Sequence, residues 1–139
     1  MTDDPRLPRV VLRGIGAVLL ATQGVVHLWL WRDGYAEIPV IGPLFLAGAL
    51  TAFVLAVAVL ATNNRVVVSA GVLLSLGQVA AFTVSSSVGL FGFETQWTWS
   101  GPEGAALWSE LLAAIALIAL VLWRRNAVHD AAAGFATAR

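Results

Sequence analysis

Two ionisable side chains, His27 and Glu110, stand inside otherwise apolar stretches of this sequence. An imidazole and a carboxyl group can together bind a metal ion, relay a proton or hold a polar ligand. Gln23 precedes His27 by four residues, so a helix carries both on one face. At a rise of about 1.5 Å per residue, His27 lies about 6 Å inside Trp31 and Glu110 about 9 Å inside Gly104. The two therefore reach a similar depth on different helices. Polar groups facing lipid are costly, so both should turn inward. One outcome is a buried pair that satisfies itself and fixes helix register. The other is a polar pocket with His27 and Glu110 at its base. Gln23 and Ser86 would line it within the helices, and Tyr35, Glu94 and Trp97 would reach it from the loops. If the pair touches, replacing either partner by alanine should destabilise the protein. His27 and Glu110 are also the only metal candidates within the apolar stretches, and Glu94 in a loop could supply a third ligand.

Much other chemistry has no residues to perform it. The chain has no cysteine, which excludes disulfides, thiolate-bound metals and thiol redox chemistry. It carries no phosphate loop, dinucleotide fingerprint, HExxH sequence or catalytic-triad spacing. A bis-His haem within one chain is not expected, because His129 falls in the C-terminal tail, far from His27. No cofactor is implied. Net charge is zero, which gives no electrostatic footprint for nucleic acid.

The elements that must position these residues follow from composition. The 139 residues are 59% hydrophobic and 12% charged, with a mean hydropathy of +0.84. A soluble domain is typically about 45–50% apolar and about 25% charged. A chain this short could not hide the excess, so a membrane protein is expected. A bilayer core needs about 20 apolar residues in a helix, and four stretches qualify: roughly 10–31, 40–61, 66–90 and 104–123. The predicted fold is an all-α four-helix transmembrane bundle running up-down-up-down within residues 1–125. A short tail, 126–139, is expected to be mobile and is given no structure. Ser100 and Glu103 have capping-box spacing ahead of the fourth span, Asn63 and Asn64 separate the second from the third, and Arg124 and Arg125 should close the fourth. The first span is long and lacks small cleavage-site residues before Arg32, so it reads as a retained helix rather than a signal peptide.

Arginine sets the orientation. Arg6, Arg9, Arg13, Arg65, Arg124, Arg125 and Arg139 fall on one side and Arg32 alone on the other. The positive-inside rule then puts both termini in the cytoplasm. In that frame the cytoplasmic half of the spans is almost wholly apolar. The outer half holds Thr22, Gln23, His27, Thr83, Ser85, Ser86, Ser87, Ser109 and Glu110, with Gln78 near the middle. Small residues at four-residue spacing (Gly48, Ala52 and Ala56; Ala105, Ser109 and Ala113; Gly71 and Ser75) suit close helix packing, within the chain or between chains. Five tryptophans, among them Trp97, Trp99 and Trp108, fall on the outer side, as an interfacial belt or a docking edge would require.

The stretches Gly24-Val-Val-His27-Leu-Trp-Leu-Trp31, Gly34-Tyr35, Ile38-Pro39-Val-Ile-Gly42-Pro-Leu-Phe45 and Gly89-Leu-Phe-Gly-Phe-Glu94 resemble those of small actinobacterial membrane proteins. In size and layout the chain is similar, more distantly, to the DoxX-like group. The resemblance implies a bacterial plasma-membrane protein associated with a larger oxidoreductase assembly, and it carries over no catalytic residue. The expected function is a non-enzymatic accessory or oligomerising subunit whose outward-facing polar pocket takes a small ligand or partner segment. Two alternatives are a membrane oxidoreductase component handling a quinone or metal at the outer leaflet, and a small oligomeric transporter. The expected partners are the lipid bilayer and a homo-oligomer or larger membrane complex.

Overall fold

The computed structural model describes residues 6–62 and 64–137, with side chains described for 7–62 and 64–123. Among the described residues there are four α-helices, α1 (Arg6–Arg32), α2 (Ile41–Ala61), α3 (Arg65–Ser87) and α4 (Gly101–Thr137), and one 3-10 turn, Tyr35–Glu37. Each α-helix is long and apolar enough to cross a membrane, over Leu7–Arg32, Ile41–Ala61, Arg65–Ser87 and Gly101–Trp123. The all-α, four-span expectation therefore holds.

The helix ends differ from expectation in instructive ways. Asn64 caps α3, its side chain accepting from the Val66 N–H at 2.8 Å; Asn63 lies outside the described residues. α3 stops at Ser87, short of Leu90, because Gly89 turns the backbone left-handed at φ 81°. The capping box at Ser100 does not form. Gly101, at φ 72°, breaks the path between Ser100 and Glu103, and Glu103 instead accepts from the Tyr35 hydroxyl at 3.4 Å. Arg124 and Arg125 directly follow the fourth candidate span, which ends at Trp123, but they do not end the helix. The tail, expected to be mobile, instead continues this helix to Thr137, as its run of alanines favours.

α1 packs against α2 and α4, and α3 packs against α4; α2 and α3 touch less. The start of α1 meets the end of α2, where the Arg13 Nε donates to Val59 O at 3.0 Å and Nη2 donates to Leu60 O. These bonds cap carbonyls at a helix end, where the ladder leaves them free. One core fills this end of the bundle, built around Leu20, Val59, Val68, Leu117 and Leu120. Leu117 is its keystone. A Cβ added at Gly16 would stand 2.7 Å from one Leu117 methyl, and one added at Gly71 would stand 2.8 Å from the other. The two glycines thus form a socket for the leucine.

The buried stripe of α1 continues from Ala17 and Leu20 through Gln23 and His27 to Leu30, in steps of three and four. Two polar residues therefore occupy core positions. On α4 the stripe runs through Ala106, Leu107, Ser109, Glu110, Ala113, Ala114 and Leu117. Ala105 is exposed, so the small-residue face of α4 is centred on Ala106 rather than on Ala105. Ala52, Ala56, Gly71, Ser75 and Ala113 are buried inside the chain, which assigns those small residues to contacts within it.

Candidate functional site

The opposite end of the bundle holds the polar groups. His27, from the buried face of α1, sets its Nδ1 3.0 Å from the Gln23 carbonyl one turn back. A carbonyl oxygen only accepts, so Nδ1 carries the hydrogen. Nε2 then points across to α4, where it lies 3.5 Å from Glu110 Oε1. That separation exceeds the ordinary hydrogen-bond range of about 2.7–3.2 Å. The pair is in contact but not closed. One proton, on Nε2 or on Oε1, completes it, and in both arrangements Glu110 Oε2 remains an acceptor. Oε2 is buried and has no partner.

A second polar set crosses from α1 to α3. The Ser75 hydroxyl donates to Gln23 Oε1 at 3.2 Å, and Gln23 Nε2 donates to Gln78 Oε1. Gln23 and Ser75 are wholly buried. Gln78 Nε2, like Glu110 Oε2, is buried without a partner. Gly48 on α2 makes room for that amide, since a Cβ there would stand 2.7 Å from Gln78 Nε2.

His27, Gln78 and Glu110 all line a half-open cavity of about 120 Å³. Its walls are largely apolar and aromatic, with Leu30, Phe45, Phe82, Phe93 and Leu107 among them. The His27 ring stacks on Phe45 at 5.0 Å and 30°, and Phe45 packs on Tyr35 at 4.6 Å. Tyr35 comes from the turn between α1 and α2. It also meets Phe93 edge-on at 5.5 Å. Its hydroxyl donates to Glu103 Oε1 at 3.4 Å, tying that turn to the start of α4. Burial, and secondarily the Glu103 carboxylate, push the Tyr35 phenol above its ordinary pKa.

The loop after α3 closes the cavity from the other side. Phe91 and Gly92 take left-handed conformations, φ 52° and 79°, between Leu90 and Phe93, which exchange both backbone hydrogen bonds at 2.7 and 2.9 Å. This tight hairpin turn sends the Phe93 ring inward and leaves Phe91 exposed. The Ser85 hydroxyl donates to the Phe93 carbonyl at 3.3 Å and holds the turn in place.

Of the residues picked from the sequence, His27, Tyr35 and Glu110 meet at the cavity, and Gln23 supports it through Gln78. Ser86 does not reach it; its hydroxyl donates to the Thr83 carbonyl of its own helix, and Ser85 takes the inward position. Glu94 is exposed and does not line the cavity. Trp97 packs outside it, on Phe82 at 5.2 Å and Trp99 at 5.2 Å. Among the described residues, no three His, Asp or Glu side chains gather to hold a metal ion. Gln78 and Ser85 were visible as polar residues within the spans, but their facing was not. The spacing of Glu103 from Ser100 also fits a capping box, Phe45 and Phe93 stand in stretches that carry the resemblance without marking a site, and Phe82 carries no signal apart from its apolarity. No family model, curated protein or solved structure matches the chain, so what this cavity does rests on its own chemistry.

Proposed function

We propose that the chain is a small polytopic protein of the bacterial plasma membrane, running up-down-up-down with both termini in the cytoplasm. It serves as a non-enzymatic accessory or oligomerising subunit, and its outward-facing cavity holds a small ligand or a segment of a partner. One observation carries the binding role: a single half-open cavity is lined by two residues, Gln78 and Glu110, that each keep a buried polar atom without a partner. Leaving such an atom unsatisfied costs roughly 1–3 kcal/mol. A site evolved only for packing gains nothing from two of them beside a void. The seven-to-one arginine asymmetry supports the orientation. A place in a larger membrane assembly is proposed from the sequence resemblance to the DoxX-like group alone.

Native mass spectrometry of the protein, extracted in mild detergent from its own host, tests this directly. The expected spectrum shows a stoichiometric non-covalent adduct or partner subunit that Glu110→Leu reduces. A bare monomer in both proteins would overturn the proposal.

A further inference from the structure

The chemistry at the base of the cavity narrows what can fill it. This step rests on the cavity being a binding site and asks which class of molecule it takes. Glu110 Oε2 is an acceptor wherever the proton shared with His27 resides, and Gln78 Nε2 is a donor. A hydrocarbon satisfies neither atom. An ammonium group donates to Glu110 but offers Gln78 no acceptor. A carboxylate accepts from Gln78 but brings no donor to Glu110, and its charge would be stranded among apolar walls. A ketone or aldehyde likewise only accepts. A hydroxyl group both donates and accepts, so it alone among these serves both residues.

Size and wall chemistry fix the rest of the molecule. A cavity of about 120 Å³ is close to the roughly 150 Å³ that holds one benzene in an apolar protein interior. Water could satisfy the polar base, yet filling this volume would take several waters against Phe45, Phe82 and Phe93. Those rings, with Tyr35 beside them, suit the face or edge of another aromatic ring. We infer that the cavity takes an uncharged, single-ring aromatic compound bearing a hydroxyl group, with the hydroxyl at the Gln78 and Glu110 end and the ring among the phenylalanines.

Phenol and toluene differ by hydroxyl against methyl at nearly the same size, so their fluorinated forms isolate this inference. The full-length protein in lipid nanodiscs would be titrated with 4-fluorophenol and 4-fluorotoluene, followed by fluorine NMR. Empty nanodiscs supply the correction for partitioning into lipid. The expected result is saturable binding of 4-fluorophenol at least tenfold tighter than that of 4-fluorotoluene. Gln78→Met, which removes the donor at similar volume, should cut that preference to threefold or less and leave 4-fluorotoluene binding unchanged. A purely structural glutamine would weaken both ligands together. Gly48→Ala, which crowds the same amide, should act in the same direction should the methionine variant not fold. Saturable binding of both probes with equal affinity would overturn the hydroxyl preference and spare the cavity as a binding site. No saturable binding of either probe would remove the aromatic ligand class, and native spectra with an adduct would then still uphold a site for something else.

Discussion

At the scale of single residues, the most consequential contact is the one between His27 and Glu110. Both side chains are nearly inaccessible, at 8% and 4% exposure, so neither can turn to solvent when its partner is removed. Deleting one member of a buried ionisable pair typically costs about 3–5 kcal/mol, mostly through the polar group left behind. His27→Ala and Glu110→Ala should each lower stability by an amount in that range, measured by reversible unfolding in mixed micelles. The double variant should cost less than the sum, because it leaves no orphan. Additive losses would mean that the 3.5 Å contact contributes no coupling. Tyr35 offers a second test, helped by its being the only tyrosine of the chain. Its raised pKa means that the folded state holds the phenol proton more tightly than the unfolded state. Its contribution is therefore full below the unfolded value of about 10, and is lost as pH rises from there through the folded value. The phenolate absorbance should appear at higher pH in the folded protein than in denaturant, and Glu103→Gln should bring the two titrations closer. Coincident curves would contradict the burial of the hydroxyl. His27 and Glu110 were legible in the sequence because charge is rare in such spans. The Glu103 contact was not, since its spacing from Ser100 also fits a cap and only the left-handed Gly101 between them decides against it.

At the scale of elements, packing in the apolar half depends on glycines placed for one leucine. Leu117 is fully buried and is approached from both sides, by Gly16 on α1 and Gly71 on α3. A methyl at either position meets a side chain that cannot move away from one glycine without closing on the other. Gly71→Ala should therefore destabilise by about 1–3 kcal/mol through overpacking. Gly14 is the control, because a Cβ there meets nothing within 4 Å. Gly14→Ala should be neutral or stabilise by up to about 1 kcal/mol, through the better helix propensity of alanine. Denaturant unfolding of the two variants side by side checks the contrast, and equal effects would show that Leu117 has room to adjust. The four spans themselves were readable from hydropathy. Their register was less so: the four-residue spacing of small residues located the faces of α2 and α3, and on α4 it placed Ser109 and Ala113 inward as found but took Ala105, which faces outward, where Ala106 faces inward. In an alanine-rich helix, neighbouring small residues cannot be ranked without their partners. The same ambiguity set Ser86 in place of Ser85 on α3.

At the scale of the whole molecule, the bundle is two chemically different halves joined end to end. One half is closed by the Leu20, Val59, Val68, Leu117 and Leu120 core. The other carries Gln23, His27, Ser75, Gln78, Ser85 and Glu110 toward its interior, while Thr22, Thr83, Ser86 and Ser87 satisfy themselves on their own helix carbonyls. The cavity lies in the polar half alone; it is proposed to open to one side of the membrane, that side is left to be tested, and it decides what the cavity can bind. The absence of cysteine makes this measurable, because any cysteine introduced is the sole thiol. Asp33 follows α1, Gln96 lies in the loop before α4, and Thr62 lies at the other end, after α2; all three are exposed. With the cavity facing outward, Asp33→Cys and Gln96→Cys should react with a membrane-impermeant maleimide in intact cells, and Thr62→Cys should react only after permeabilisation. The reverse pattern would turn the cavity toward the cytoplasm and make its ligand an intracellular one. Labelling of all three in intact cells would mean that both orientations coexist, an arrangement suited to an inverted dimer, and the accessory-subunit proposal would give way to the oligomeric transporter.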